Sequence, residues 1–266
     1  MKNVPEPSII NPHPKLPVVV NLPHASSCIP VHLRDQFCVS DEELVEEQRK
    51  LVDWFVDDLY SPFIDAGATA VKHNVSRFVC DPERFEDDAK ECMFERGMGV
   101  VYSHGTERQR IRRDISPQER ESILADLYRP YHAAFTDQVR KVLDAFGRCI
   151  VVDSHSYQEF ALPYELYPDA PRPDLVFGDD SIHTPAWIHD EVLRLSHQAG
   201  YSFGVNRPFA GTVVPLAFYG DTRVSSFMLE INRRTYMNEQ TTTLHEGLSR
   251  MKALLGEIAF SLSQRG

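Results

Sequence analysis

Two histidines stand directly behind short apolar runs. Val18-Val19-Val20-Asn21-Leu22 leads into Pro23-His24-Ala25-Ser26-Ser27, and Cys149-Ile150-Val151-Val152 leads into Asp153-Ser154-His155-Ser156. Each run has the length and β-branched content of a buried strand. Open α/β sheets place their ligands just past the C-terminal ends of such strands. A single histidine there is ordinarily a hydrogen-bonded structural residue. Two over one crevice suit a divalent cation, because hydrolytic zinc commonly takes two histidines and a carboxylate and keeps one position open for water. Asp153 stands close enough to His155 to orient its imidazole from behind, or to bond a loop amide.

The third ligand is less plain. No HExxH is present, and an HxxE pair fails at His24 because position 27 is Ser27. The following helical segment offers Glu46, Glu47, Asp53, Asp57 and Asp58. On one unbroken helix from Asp41, Asp53 would lie about 18 Å along the axis at ~1.5 Å per residue, too far from the strand ends. A helix that breaks near Lys50, with a second beginning at Asp53, would bring it back. Glu230 interrupts the apolar run Phe227-Met228-Leu229-Glu230-Ile231. A glutamate is rarely buried alone, so it is either paired with Arg233 or Arg234, or is an acid or base whose pKa burial has raised. The chain has no GxSxG elbow, no GxxxxGK[ST] loop and no GxGxxG, and no local signature marks a cysteine nucleophile.

The elements that must position these groups read as an α/β alternation. Ser40-Asp41-Glu42-Glu43 has the form of a capping box, and Leu44, Val45, Leu51, Val52, Phe55, Val56 and Leu59 keep helical spacing toward Tyr60. Ala66 to Val75 reads as a strand. Residues 82–115 are charged and irregular, a loop-rich excursion over the sheet edge. Ser116-Pro117-Gln118-Glu119 opens a helix that runs to Gly147. Leu175-Val176-Phe177-Gly178 is a further strand, Thr184-Pro185 caps a helix ending near Gly200, Ser226 to Ile231 is the last core strand, and a C-terminal helix starts at Asn238. The expectation is one α/β domain over residues 1–266, with 1–16 as an N-terminal extension.

A formal charge of −11 over 266 residues argues against nucleic acid or an anionic membrane as partner. An anionic substrate would need a local arginine cluster. Five cysteines without CxxC spacing fit reduced thiols and a cytoplasmic location. The proline-rich start has no apolar core of a signal peptide, and no window approaches the ~18 apolar residues of a spanning helix.

The ordered series Pro23-His24-Ala25, Asp53-Trp54, Leu59-Tyr60, Ser76-Arg77-Phe78-Val79, Asp81, Pro130-Tyr131-His132, Asp153-Ser154-His155-Ser156, and Leu229-Glu230-Ile231-Asn232-Arg233 through Thr235-Tyr236-Met237 resembles the N-formylglutamate amidohydrolase family. The likeness spans about residues 17 to 239. It implies a three-layer α/β/α fold with a mixed, mostly parallel sheet, phosphorylase/hydrolase-like and related to the zinc-dependent exopeptidases. It also implies cleavage of N-formyl-L-glutamate to formate and glutamate, a late step of histidine degradation. Asp53 then becomes the carboxylate ligand beside His24 and His155, the ion Zn²⁺ or a similar divalent metal such as Co²⁺, and Glu230 the catalytic acid on the last strand. The small anionic N-acyl amino acid would be held by Arg77, Arg84, Arg233 and the segment around Asn206, with Asp153 and His132 behind the site. Two departures stand out: Glu83 takes the place of an asparagine, and Ala210 that of the first of a glycine pair. They motivate two alternatives, an enzyme of this architecture acting on another N-acyl amino acid or a peptidoglycan-like amide, and a binding protein without turnover.

Overall fold

The computed structural model describes residues 4–264. Its strands are β1 (Ser8–Ile10), β2 (Val18–Leu22), β3 (Thr69–Lys72), β4 (Cys149–Tyr157), β5 (Leu175–Gly178), β6 (Phe203–Val205) and β7 (Val224–Asn232), with a small hairpin of β8 (Met237–Asn238) and β9 (Thr243–Leu244). The helices are α1 (Asp41–Leu51), α2 (Val56–Leu59), α3 (Ser61–Asp65), α4 (Pro117–Ile123), α5 (Arg129–Phe146), α6 (Ala186–Gln198) and α7 (Gly247–Gln264). A π-helical segment, Leu124–Tyr128, joins α4 to α5.

The seven-stranded sheet has the order β1-β3-β2-β4-β7-β5-β6. Pairing is parallel except for β1 with β3 and β5 with β7. The sheet is therefore mixed and mostly parallel, with helices on both faces. Val19, Val71 and Val151 face Tyr131, Phe135, Val139 and Val142 of α5. Val18, Val20, Val152, Phe227 and Leu229 face Leu59, Tyr60, Phe63, Val192, Leu255 and Ile258 on the opposite side. Covering both faces explains why β2 and β4 are buried at every position and read as near-continuous apolar runs.

Both expected capping boxes form. Ser40 and Ser116 accept from the amides of Glu43 and Glu119, whose side chains bond back. Other boundaries need correction. Within the N-terminal segment Ser8–Ile10 join the sheet, since β1 pairs with β3. The strand expected over Ala66 to Val75 is trimmed to Thr69–Lys72. Thr184 does not cap α6: its hydroxyl accepts from Asp180 N and donates to Ser226 O. Residues after Asn238 first make the β8–β9 hairpin, and the C-terminal helix starts at Gly247. The helix from Asp41 does not reach Tyr60. It stops at Leu51, and Phe55 takes a left-handed conformation (φ 61°) before α2 begins. Strand β4 runs through His155 to Tyr157 instead of ending before it, because β7 pairs with it residue for residue out to Asn232. Among the described residues no helix is long and apolar enough to cross a membrane.

Replacing Ser116 by Ala is expected to lower unfolding stability by about 1 kcal/mol in a urea titration, through the lost cap.

Candidate metal centre and active site

The break after α1 decides the geometry. Asp53 follows the last residue of the helix by two positions, and its backbone N–H donates to the carbonyl of His24 at 3.1 Å. The turn therefore lands on the C-terminal end of β2. Asp53 Oδ2 lies 3.1 Å from His155 Nδ1 and 3.8 Å from His24 Nδ1, and the two Nδ1 atoms are 3.3 Å apart. Tetrahedral ligands at zinc bond lengths of 2.0–2.1 Å would be separated by about 3.3 Å.

The outer edges of both rings are held by carboxylates. His24 Nε2 lies 2.8 Å from Asp81 Oδ1. His155 Nε2 lies 3.1 Å from Asp153 Oδ1 and 3.0 Å from Glu83 Oε2. These contacts assign the N–H to Nε2 on each ring. The Nδ1 lone pairs then point toward each other and toward a carboxylate oxygen. Three acceptors facing one another repel unless a cation stands between them, so the donor set fits a divalent metal.

A second grouping shares both histidines: His24, Glu83 and His155 offer one ligand atom each within 4.8 Å of one another and could bind a metal ion. Its Nε2 side is less suited, because His24 Nε2 already bonds Asp81 and lies 3.9 Å from Glu83. Without metal, a proton does the same work as a cation. Burial works against a charge on His155, yet Glu83, Asp153 and Asp53 outweigh it and lift its pKa well above the usual range. Burial and the nearby Arg77 charge bring His24 down to about 4.

Glu230 is the residue paired with His155 across β4 and β7. It is 8% exposed, and among the described residues its Oε2 has no hydrogen-bond partner. Burial, helped by the Asp53 charge, pushes its pKa up to about 7. A carboxyl so placed can exchange protons near neutrality.

Arg77 donates to Asp81 Oδ2 from Nε (3.2 Å) and Nη2 (3.0 Å), and Nε also reaches the Tyr102 hydroxyl. Among the described residues the buried Nε of Arg84 has no acceptor, and it lies 3.7 Å from Asp81 Oδ2. Asp81 is fully buried and accepts from His24, Arg77, Tyr102 and the Glu83 amide. Burial would raise its pKa, but His24, Arg77 and Arg84 hold it well below the carboxylate range.

Arg233 and Asn206, both expected at the substrate, are engaged by the protein itself. Arg233 is 1% exposed and donates to the carbonyls of Lys50 (2.8 Å) and Val52 (2.7 Å), and to Ser156 Oγ (3.4 Å). It braces the C-terminal end of α1, where cations are favoured, and lies 3.6 Å from Asp53 Oδ1. Asn206, at φ 52°, exchanges hydrogen bonds with Asp179 and accepts from the Gly211 amide. It ties a loop whose Val213 amide donates to Asp153 Oδ2 (3.1 Å). The loop seats against Gly178, where a Cβ would meet the Gly211 carbonyl at 2.1 Å. His132 bonds the Pro82 carbonyl (2.8 Å), next to Glu83.

Asn21 goes unmarked by its residue type, and Glu83 stands out only as a departure from the family pattern. Asn21 is buried in β2, and its amide donates to Glu83 Oε1 (3.1 Å) and Asp153 Oδ1 (2.9 Å) while accepting from the Tyr131 hydroxyl (2.5 Å). The signals were present: a polar residue inside an apolar run, and a charged one where an uncharged one is usual. Burial and the Asp153 charge push Glu83 up to about 8.

A family model described as N-formylglutamate amidohydrolase matches residues 16–237. The N-formylglutamate deformylase of Pseudomonas putida is 29% identical over 234 residues, covering 85% of this chain and 83% of its own. That of Pseudomonas aeruginosa is 26% identical over 236 residues, with 85% and 84% covered. The crystal structure of N-formylglutamate amidohydrolase from Ralstonia eutropha JMP134 superimposes with a TM-score of 0.84 at 25% identity over 97% of both chains. A protein of Agrobacterium tumefaciens shares the fold, with a TM-score of 0.69 at 20% identity over 96% and 95% of the two chains.

Between pH 4.5 and 7 the folded protein keeps a proton on Glu230 that the unfolded chain has lost, so this group makes stability fall as pH rises through that window. Glu230→Gln should therefore raise the Tm of metal-free protein more at pH 8 than at pH 5. Equal shifts at both pH values would mean that the carboxyl is not held protonated.

Proposed function

Because the chain belongs to the N-formylglutamate amidohydrolase family, we propose that it is a metal-dependent amide hydrolase that converts N-formyl-L-glutamate and water to formate and L-glutamate. The observation that carries this reading is the meeting of His24 Nδ1, Asp53 Oδ2 and His155 Nδ1 beside the unpartnered Oε2 of Glu230. The relatives named as deformylases support the reaction and the substrate.

In this reading His24, Asp53 and His155 would hold Zn²⁺ or Co²⁺, which would supply Lewis acidity and bring the pKa of water toward about 7. Glu230 accepts the proton of the attacking water and returns it to the glutamate nitrogen as the C–N bond breaks. Arg77, fixed by Asp81 and Tyr102, offers its remaining N–H to the oxyanion of the tetrahedral intermediate. Arg84 pairs with a carboxylate of the amino acid, overcoming the acidic character of the whole chain. Arg233 and Asp153 orient ligands and do not meet substrate.

Metal-stripped protein should release glutamate from N-formyl-L-glutamate only after Zn²⁺ or Co²⁺ is restored, and Glu230→Gln should abolish release while leaving metal bound. Metal bound without release would refute the substrate; neither metal nor release would refute the hydrolase reading and leave a binding protein. Asp53→Asn should weaken metal binding more than Glu83→Gln, and the reverse order would move the ion to the Glu83 side. Metal affinity should also rise with pH, because the proton on His155 must leave first. Arg84→Met should raise KM tenfold or more, with a smaller change in kcat, in initial-rate measurements, at about 1.4 kcal/mol per factor of ten.

A further inference from the structure

Asn21 sits where a strand rewards apolar residues, in the middle of the sheet and opposite Asp153. Asparagine is disfavoured in strands, and a buried amide must have its hydrogen bonds satisfied. Here both donors and the carbonyl acceptor are used. Its carbonyl accepts from the Tyr131 hydroxyl, and its NH₂ donates to two different carboxyl groups, Glu83 Oε1 and Asp153 Oδ1. Those two groups approach the same atom, His155 Nε2, at 3.0 Å and 3.1 Å. Two acidic side chains are thus packed against one ring edge in a buried place. Their close approach is held from one side by the imidazole N–H and from the other by the Asn21 amide. The Val213 amide holds the outer oxygen of Asp153.

We propose that Asn21 is a positioning residue for the metal centre: its amide holds Glu83 and Asp153 together on the Nε2 edge of His155, so that the ring presents Nδ1 to Asp53 and His24. Glu83 in this arrangement orients a ligand and is not one itself. Tyr131 fixes which way the amide faces, because only its carbonyl can accept the hydroxyl proton. The inference rests on the reading of His24, Asp53 and His155 as the metal ligands. It adds that one uncharged side chain, 62 positions from Glu83 and 132 from Asp153 on β4, sets how well the ligands bind.

The test is zinc affinity, measured by competition with a chromophoric chelator on metal-stripped protein, with the Tm of each metal-free variant recorded alongside. Asn21→Asp replaces the two donors by a third carboxyl. Disturbing such an outer partner typically costs 10–100-fold in metal affinity, and that loss is expected here. The double variant Asn21→Asp with Glu83→Gln returns an amide to the other side of the pair and should regain part of the loss. Tyr131→Phe deletes only the hydroxyl and should weaken zinc binding several-fold while keeping the fold, so it serves if Asn21→Asp does not fold. A lower Tm with zinc affinity unchanged in the variants would overturn the proposal and leave Asn21 as a packing residue. So would a double variant that folds yet binds no better than Asn21→Asp. If wild-type protein itself binds no zinc, the metal reading fails and takes the proposal with it; normal wild-type binding with indifferent variants rejects the proposal alone.

Discussion

Everything near the C-terminal edge of this sheet answers to one electrostatic constraint: several ionisable groups share a space from which water is largely excluded. An isolated buried charge is prohibitively costly, so each group must have a partner of opposite sign or a hydrogen bond. Asp81 meets this with His24, Arg77 and Tyr102. Asp153 meets it with His155, Asn21 and Val213. Removing one partner from such a network leaves another uncompensated, which is why buried pairs are fragile to single substitutions. The inward-facing Nδ1 atoms and Asp53 Oδ2 are the remaining acceptors, and the rest of the network fixes where they point.

The scaffold follows from that demand. Parallel strands covered on both faces supply a rigid platform, and their register puts His155 beside Glu230. The turn between α1 and α2 swings a carboxylate over the platform, while Arg233 fixes the carbonyls at the end of α1. Arg233 shows that residue type alone leaves the work of a motif position open. A guanidinium near an acidic site suggests substrate, yet here it serves the backbone of the segment that carries Asp53.

Local signals made much of this legible. The apolar runs ending at Leu22 and Val152 and the acid inside the last strand identified His24, His155 and Glu230. The capping boxes at Ser40 and Ser116 fixed two helix starts. Asp53 needed the family likeness, because helical spacing continues through Phe55 and Leu59 and gives no warning of the break. The left-handed Phe55 is held by packing against the core, a tertiary effect with no local signature. Asn21 and the inward turn of Glu83 depend on contacts with residues as far away as Asp153, and no spacing rule spans such distances. Asn206 lies in a segment that follows the family pattern, and its amide closes a loop.

The order of strands has a consequence for assembly. β2, β4 and β7 are neighbours in space but lie far apart along the chain, and each pairing must close a long loop before it gains anything. The histidine from β4 meets the one after β2 only when this non-local sheet is complete. Glu230 joins them only when β7 has inserted between β4 and β5. Occupancy of the cluster thus reports on topology as well as chemistry. A ligand that binds there stabilises only the finished arrangement, by mass action, and draws the folding equilibrium toward the one register in which the acid stands beside the histidines.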